Sequence, residues 1–201
     1  YFRVGVVADN GQGKAGADRR FDELLENCVA HTTEILTRFP KFKHIRDVLI
    51  RRGRAFNELK KKDYAIKDFM DYIHKYPDER QTVEVRLMAS DVLAEQNKHQ
   101  EILNILKPVD VNQNLGGLEA QVVEKQALAN FNVENYPAAL RKAEWLLRYD
   151  RARGLNKEEG GHYDDVVGMV ALFYGTAFEK RLAGYSLVHA MDYFKKLEHG
   201  A

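Results

Sequence analysis

Hydrophobic positions recur at helical spacing along most of the chain. In the segment FDELLENCVAHTTEILTRF, residues 21–39, small and apolar side chains follow one another at steps of three and four, which places them on one face of a helix. They are Phe21, Leu24, Leu25, Cys28, Val29, Thr32, Ile35 and Leu36. The segments VEVRLMASDVLAEQ and EILNILKPV show the same spacing. The pattern predicts an all-α chain from about residue 18 onward, after a short irregular leader at 1–18 that is flexible or peripheral.

The helical pattern also repeats every 37 residues. Ala65 is preceded by Cys28 and followed by Ile102 and Ala139 at this spacing, and Pro40 and Pro77 are separated by the same interval. A second series of small residues lies twelve positions before the later three: Gly53, Ser90 and Ala127. We interpret each unit as a hairpin of a first helix, helix A, and a second helix, helix B.

Small side chains at these positions would let the two helices of a hairpin approach closely. Gly53 in helix A and Ala65 in helix B are predicted to face each other, and Phe69 is predicted to fill space toward the next unit. Pro77 ends helix B because proline lacks the N–H and clashes with the preceding turn. The stretch AIKDFMDYIHKYPDE is therefore predicted to be a helix B and its exit.

The spacing resembles that of the tetratricopeptide (TPR) repeat. The best copies are LIRRGRAFNELKKKDYAIKDFMDYIHKYP and VVEKQALANFNVENYPAALRKAEWLLRYD, although Arg52 stands where the family usually has leucine. The resemblance implies a right-handed superhelical array of antiparallel helical hairpins over residues 19–201. Units stretched to 37 residues are similar to those of bacterial envelope adaptors of the outer-membrane-assembly and cell-division-coordinator type.

Two segments near the C-terminal end depart from the period. DRARGLNKEEGG, residues 150–161, is predicted to be an exposed loop because of its charges and glycines. VVGMVALFYGTAF, residues 166–178, is apolar nearly all round but too short for a bilayer, which needs about 20 residues. It is predicted to be a buried helix, and an interface in a homo-oligomer is the alternative. The predicted core comprises Gly53, Phe56, Ala65, Phe69, Leu93, Ile102, Leu106, Ala127, Ala139, Leu146, Gly175, Phe178, Ala190 and Phe194.

The candidate chemical motifs are weak. GVVADNGQGKAGAD lacks the first glycine and the hydroxyl residue of a phosphate-binding loop. His31 and Cys28 share a helix face, but two ligands do not make a metal site. HYDD, residues 162–165, is typical of a helix start with capping carboxylates. We predict no catalytic residue, no metal and no cofactor, and hence no enzyme activity in this chain.

Charge is balanced overall, with 31 basic and 30 acidic side chains, so the whole molecule has no field that favours nucleic acid or an anionic membrane. Lysine and arginine nevertheless concentrate at residues 41–62, either as a solvated face or as a binding surface. The resemblance assigns a concave partner-binding groove to the helix A residues that face away from helix B. They are Ile50, Arg51, Arg54, Asn57, Glu58, Leu87, Met88, Asp91, Lys125, Leu128 and Phe131. Arg51 and Arg54 would hold an acidic segment or a terminal carboxylate by two-pronged hydrogen bonds.

The predicted function is a non-catalytic scaffold or adaptor that binds a peptide segment of a protein partner, within a bacterial envelope or motility complex. A nucleic-acid binder that uses the basic residues 41–62 is the first alternative, although it lacks interleaved exposed aromatics. An accessory domain of a larger enzyme is the second. The sequence begins with Tyr1 rather than methionine, so we expect the natural N-terminus to lie further upstream. A cytoplasmic and a periplasmic location both stay open.

Overall fold

Helices make up most of the part of the chain that the structure describes. The computed structural model describes residues 11–153 together with Gly168, Leu172, Phe173, Gly175 and Thr176. Seven helices and no strands occur within residues 11–153, which confirms the all-α class for this part. They are α1 (Gly11–Arg38), α2 (Ile45–Glu58), α3 (Lys62–Lys75), α4 (Arg80–Glu95), α5 (His99–Leu106), α6 (Glu119–Asn132) and α7 (Tyr136–Arg153).

The helix boundaries repeat with the period seen in the sequence. The helices α2, α4 and α6 end at Glu58, Glu95 and Asn132. Their successors α3, α5 and α7 begin at Lys62, His99 and Tyr136. Each position in both series lies 37 residues after the one before it, so the predicted unit length is present in the backbone.

The turn from helix A to helix B has one conformation in all three units. Its middle residue is left-handed, with φ of 60° at Lys60, 57° at Asn97 and 62° at Glu134. The next residue donates its backbone N–H to a carbonyl five positions earlier, from Lys61 to Phe56, from Lys98 to Leu93 and from Asn135 to Asn130. These bonds measure 2.8, 2.9 and 2.8 Å. A Schellman-type C-cap of this kind satisfies carbonyls at the helix end and reverses the chain.

The chain divides into two units, residues 1–85 and 86–201, and the division falls within α4. In the first unit α2 packs against α1 and against α3. A Cβ atom added to Gly53 would lie 2.6 Å from Cε1 of Phe69, so α2 and α3 are in contact at this glycine. The predicted close approach at Gly53 is confirmed, and Phe69 is the residue that covers it, within the same hairpin.

In the second unit α6 packs against α5 and α7. Small residues dominate the contact between α6 and α7, where Ala127, Ala139 and Ala143 are fully buried together with Leu146. The ring of Phe173 is also fully buried in this cluster. Alanines on facing helices leave room for larger neighbours to interdigitate, as the sequence pattern predicted.

Several sequence predictions need correction in the first unit. Helix α1 begins at Gly11, inside the segment predicted to be an irregular leader. Glycine lowers helix propensity without preventing helix formation, so the glycine-rich composition misled the prediction. This helical backbone also excludes a phosphate-binding loop at residues 11–18. Cys28 and Phe56 are half-buried rather than buried, so neither is a full core residue.

Further corrections concern the C-terminal part. Helix α7 extends to Arg153, so the predicted loop at 150–161 starts within a helix, and its remainder lies outside the described residues. Gly175 is exposed instead of buried, and Leu172 is 54% exposed, so the prediction of a buried segment at 166–178 is wrong at these two residues. Most other residues of that segment lie outside the described part. The predicted core residues Phe178, Ala190 and Phe194 lie outside the described residues. Across the described part of the chain, no helix is both long and apolar enough to cross a membrane.

Candidate partner-binding surface

In the first unit the predicted groove residues lie on α2. Arg51, Arg54 and Glu58 are exposed and follow steps of three and four, so they share one face of the helix. Asn57 is half-buried, and its side-chain oxygen is buried without a hydrogen-bond partner. Ile50 is only 5% exposed, so it offers almost no surface to a partner.

In the second unit an ion pair joins two predicted groove residues on different helices. The ammonium of Lys125 on α6 contacts the carboxylate of Asp91 on α4. Asp91 holds the repeat position of Arg54, and Lys125 holds that of Arg51. The side chains of α4 and α6 therefore meet at this pair of positions.

Apolar residues lie on these same two helices. Leu128 is 41% exposed, whereas Met88 is half-buried and Leu87 is only 5% exposed. Phe131 is half-buried, since its ring stacks on Phe173 with a centroid separation of 4.7 Å. Leu128 is thus the largest apolar contact point that the predicted residues of this unit present.

Arg52 forms an internal ion pair. Its guanidinium donates two hydrogen bonds to the carboxylate of Asp68 on α3, at 2.8 and 2.6 Å. A third bond, 3.1 Å long, reaches the hydroxyl of Thr33 on α1. The side chain of Asp68 is only 2% exposed, so this is a buried, two-pronged pair that ties α2 to both neighbours.

Sequence reasoning missed the pair although a signal was available. Asp68 occupies the repeat position of Ile105 and Lys142, and Arg52 occupies that of Ala89 and Gln126. An acid and a base that appear in the same unit at these two positions indicate a contact across the hairpin.

The basic segment 41–62 is partly neutralised by acidic residues outside it. The guanidinium of Arg46 pairs with Glu79, whose hydrogen bond and charge raise the pKa of Arg46. It also lies over the ring of Tyr76, 5.1 Å from the centroid. Lys61 lies 4.0 Å from a carboxylate oxygen of Glu26. With Arg52 also paired, the free positive charge is smaller than the sequence count suggests.

Tyr72 is buried below this network. Its hydroxyl lies 3.3 Å from a carboxylate oxygen of Glu79 and 3.3 Å from the amide oxygen of Gln81. Burial raises the pKa of Tyr72 to about 12, and the charge and hydrogen bond of Glu79 act in the same direction. The tyrosine therefore stays neutral, and its hydroxyl can donate a hydrogen bond to one of the two acceptors.

In the second unit two buried polar side chains cap the short helix α5. The guanidinium of Arg86 on α4 donates to the carbonyl of Ile105, and the amide of Gln126 on α6 donates to that of Leu106 at 3.1 Å. Burial lowers the pKa of Arg86. These bonds satisfy carbonyls that an eight-residue helix leaves free at its end. Neither the spacing nor the polarity of Arg86 indicates that it is buried.

Among the described residues, no group of three or more His, Cys, Asp or Glu side chains could hold a metal ion. His162, Asp164 and Asp165 lie outside those residues. Comparison of the chain with protein-family models, curated proteins and solved structures gave no match.

Proposed function

We propose that this protein is a protein-interaction scaffold without catalytic activity, built as a TPR-like right-handed superhelix that binds a peptide segment of a partner along its A helices. The ion pair between Asp91 and Lys125 is the observation that carries the proposal. It joins two predicted groove positions from two successive A helices into one surface. The recurring turn at Lys60, Asn97 and Glu134 supports it, because identical turns are what a regular array requires.

The chemistry of the surface favours an acidic peptide. Arg51 and Arg54 expose guanidinium groups on one face of α2, and a guanidinium can hold a carboxylate through two parallel hydrogen bonds. In the second unit Leu128 and the half-buried Met88 offer apolar contact on helices of the same register. Acidic side chains or a terminal carboxylate would match the arginines of the first unit, and apolar side chains would match the contacts of the second. We also propose a bacterial envelope or motility complex as the setting of the scaffold, and the resemblance of its 37-residue unit is the only support for this part of the proposal.

The nucleic-acid alternative has less support. A phosphate-tracking surface needs several cations that are free to replace counterions. Arg46 and Arg52, together with Lys61, are instead engaged by the carboxylates of Glu79, Asp68 and Glu26.

Fluorescence anisotropy with a short labelled peptide of alternating glutamate and leucine, ending in a free carboxylate, would test the proposal. Binding should fall by about tenfold or more in the double variant Arg51→Glu/Arg54→Glu, since one lost charge-assisted bond is worth about 1.5–3 kcal/mol. The matched control is Lys41→Glu/Lys43→Glu, which makes the same charge change at exposed residues before α2.

The control variant should bind the peptide as the wild type does, apart from a small general effect of charge. An equal loss of peptide affinity in both variants would mean that net charge alone attracts the peptide, and it would contradict the assignment of the groove to Arg51 and Arg54. Binding of a single-stranded RNA of mixed sequence that falls steeply with salt, without peptide binding, would favour the nucleic-acid alternative.

A further inference from the structure

The C-terminal half of α1 occupies the repeat position of a helix B. Helix α1 ends at Arg38 and α3 ends at Lys75, 37 residues later. Pro40 follows the first helix as Pro77 follows the second, at the same distance. In this register residues 25–38 correspond to the whole of α3, and α2 covers one side of each.

The two helices differ in how well their corresponding side chains are covered. In α3 the series Ala65, Phe69, Tyr72 and Ile73 is 0%, 1%, 0% and 4% exposed. In α1 the corresponding series is Cys28, Thr32, Ile35 and Leu36, of which only Thr32 is buried, at 7%. The other three are half-buried. Both helices pack against α2. Among the described residues, however, no helix precedes α1 that could serve as its helix A in the hairpin register, as α2 does for α3.

Residues 11–21 are in register with a helix A, but they continue α1 in a straight line and do not form a hairpin with residues 25–38. Gly16 lies 37 residues before Gly53, and Glu23 lies 37 residues before the left-handed turn residue Lys60. Helix α1 runs without interruption from Gly11 through Glu23, where the other units turn. Residues 11–21 therefore cannot fold back on residues 25–38 of the same chain.

The point where α1 passes the missing turn exposes large apolar side chains. Phe21 is 53% exposed and Leu24 is 67% exposed, and both lie on the stripe that continues into Leu25 and Cys28. Large apolar side chains that are contiguous and uncovered on a helix are typical of an interaction surface.

We propose that a second copy of this chain covers this stripe by exchange of the helix segment 11–21. The segment of each copy takes the helix A position on residues 25–38 of the other, and the two α1 helices run antiparallel about a twofold axis near residues 22–23. Phe21 of one copy then meets Leu24 of the other, and the reverse contact follows by symmetry. In this exchange each segment takes a position that the repeat register already assigns to a helix A. The proposal does not depend on peptide binding.

Light scattering coupled to size exclusion, over a range of loading concentrations, tests the exchange. The mass of the wild type should rise with concentration toward twice the monomer mass. Phe21→Glu/Leu24→Glu should be monomeric at all concentrations, since two buried charges would face their symmetry mates. Phe39→Glu is the matched control, because Phe39 is 58% exposed but lies outside the proposed interface, and it should keep the dimer.

Covalent trapping provides a second readout that does not rely on a disruptive variant. In a Cys28→Ala background, the pair Phe21→Cys/Leu24→Cys should give a covalent dimer on mild oxidation, because each new cysteine faces one on the other copy. The pair Phe39→Cys/Phe42→Cys in the same background should not. A wild type that is monomeric at every concentration, or a dimer that the glutamate variant leaves unchanged, would overturn the proposal.

Discussion

The α2/α3 hairpin and the α6/α7 hairpin use the same turn and solve the problem of packing in different ways. The first places a glycine under an aromatic ring, Gly53 under Phe69, and adds the buried pair of Arg52 and Asp68. The second relies on fully buried alanines and on Leu146, and Gln126 stands in place of the arginine. Backbone geometry is thus set by the turn and the period, while the means of joining the helices varies from unit to unit.

The difference has consequences for tolerance to mutation. An alanine-lined contact contains no charge that a substitution could leave unpaired. A buried ion pair is sensitive to the loss of either partner, because the remaining charge is left without compensation. The first hairpin should therefore be the more fragile of the two, in a way that four measurements can examine.

Loss of the buried carboxylate should have the largest effect. Asp68→Ala leaves the guanidinium of Arg52 in a largely buried position and should lower the free energy of unfolding by about 3 kcal/mol. Urea denaturation followed by circular dichroism measures this. Asp91→Ala removes an acid from the more exposed pair with Lys125 and should cost less than about 1 kcal/mol.

A double variant would sharpen the interpretation of that loss. Arg52→Ala/Asp68→Ile copies the residues that the α4/α5 hairpin has at these positions, Ala89 and Ile105. It should recover most of the stability lost in Asp68→Ala, since no charge remains unpaired. A double variant as unstable as the single one would show that packing, and not charge, is responsible.

Addition of one methyl group at the close contact should have the next largest effect. In Gly53→Ala the new Cβ would lie 2.6 Å from the buried ring of Phe69, so the hairpin must shift. Overpacking costs about 1–3 kcal/mol, and the gain of roughly 1 kcal/mol in helix propensity offsets part of it. We expect a net loss of about 1 kcal/mol in thermal or urea unfolding.

Gly168→Ala is the control for this substitution. Gly168 is helical and exposed, and an added Cβ meets nothing within 4 Å. The same change there should stabilise by up to about 1 kcal/mol, through propensity alone. A similar gain at Gly53 would contradict the close approach of α2 and α3.

The three turns should respond to glycine according to the residue they now contain. Left-handed backbone costs roughly 1 kcal/mol for most side chains and less for asparagine. Lys60→Gly and Glu134→Gly should therefore each raise the unfolding free energy by about 0.5–1 kcal/mol, and Asn97→Gly should change it little. Destabilisation at Lys60 or Glu134 would mean that the side chain contributes more than its backbone strain.

The last prediction concerns the pH dependence of stability in the first hairpin. Because the pKa of Tyr72 is raised to about 12, the folded protein keeps this proton while the unfolded chain loses it above about pH 10. Stability from this group is complete below pH 10 and falls as the pH rises toward 12. Tyr72→Phe should lessen the fall in urea midpoint over this interval relative to the wild type. An unchanged fall in Tyr72→Phe would assign it to other groups.

Particular residues show how far the sequence could predict this structure. The small residues at Gly53, Ala65 and Ala127 indicated both the hairpins and their period, because close helix approach restricts side-chain size at a regular interval. The helix ends followed from the same interval. The start of α1 at Gly11 did not, since several glycines in a helix are locally unfavourable and only the longer context decides.

The candidate site was predicted less completely than the fold. Exposure of Arg51 and Arg54 follows from helix periodicity, but burial of Ile50 and Leu87 depends on neighbours that one sequence does not specify. The pairing of Asp91 with Lys125 also depends on two helices meeting in space. The burial of Arg86 could not be predicted from its polarity, because its guanidinium bonds a backbone carbonyl at the end of α5 and this contact depends on the fold.

The link between α5 and α6 is longer than the link between α3 and α4, which comprises only residues 76–79. Each of the turns at Lys60, Asn97 and Glu134 is three residues long. The link Lys107–Leu118 is longer and largely exposed, and Gly116 and Gly117 lie close to the start of α6. Foreign sequence spliced between those two glycines would disturb neither a helix nor a reversal of direction. This link is therefore a suitable insertion site for a protease site or a reporter, whereas the three short turns are not.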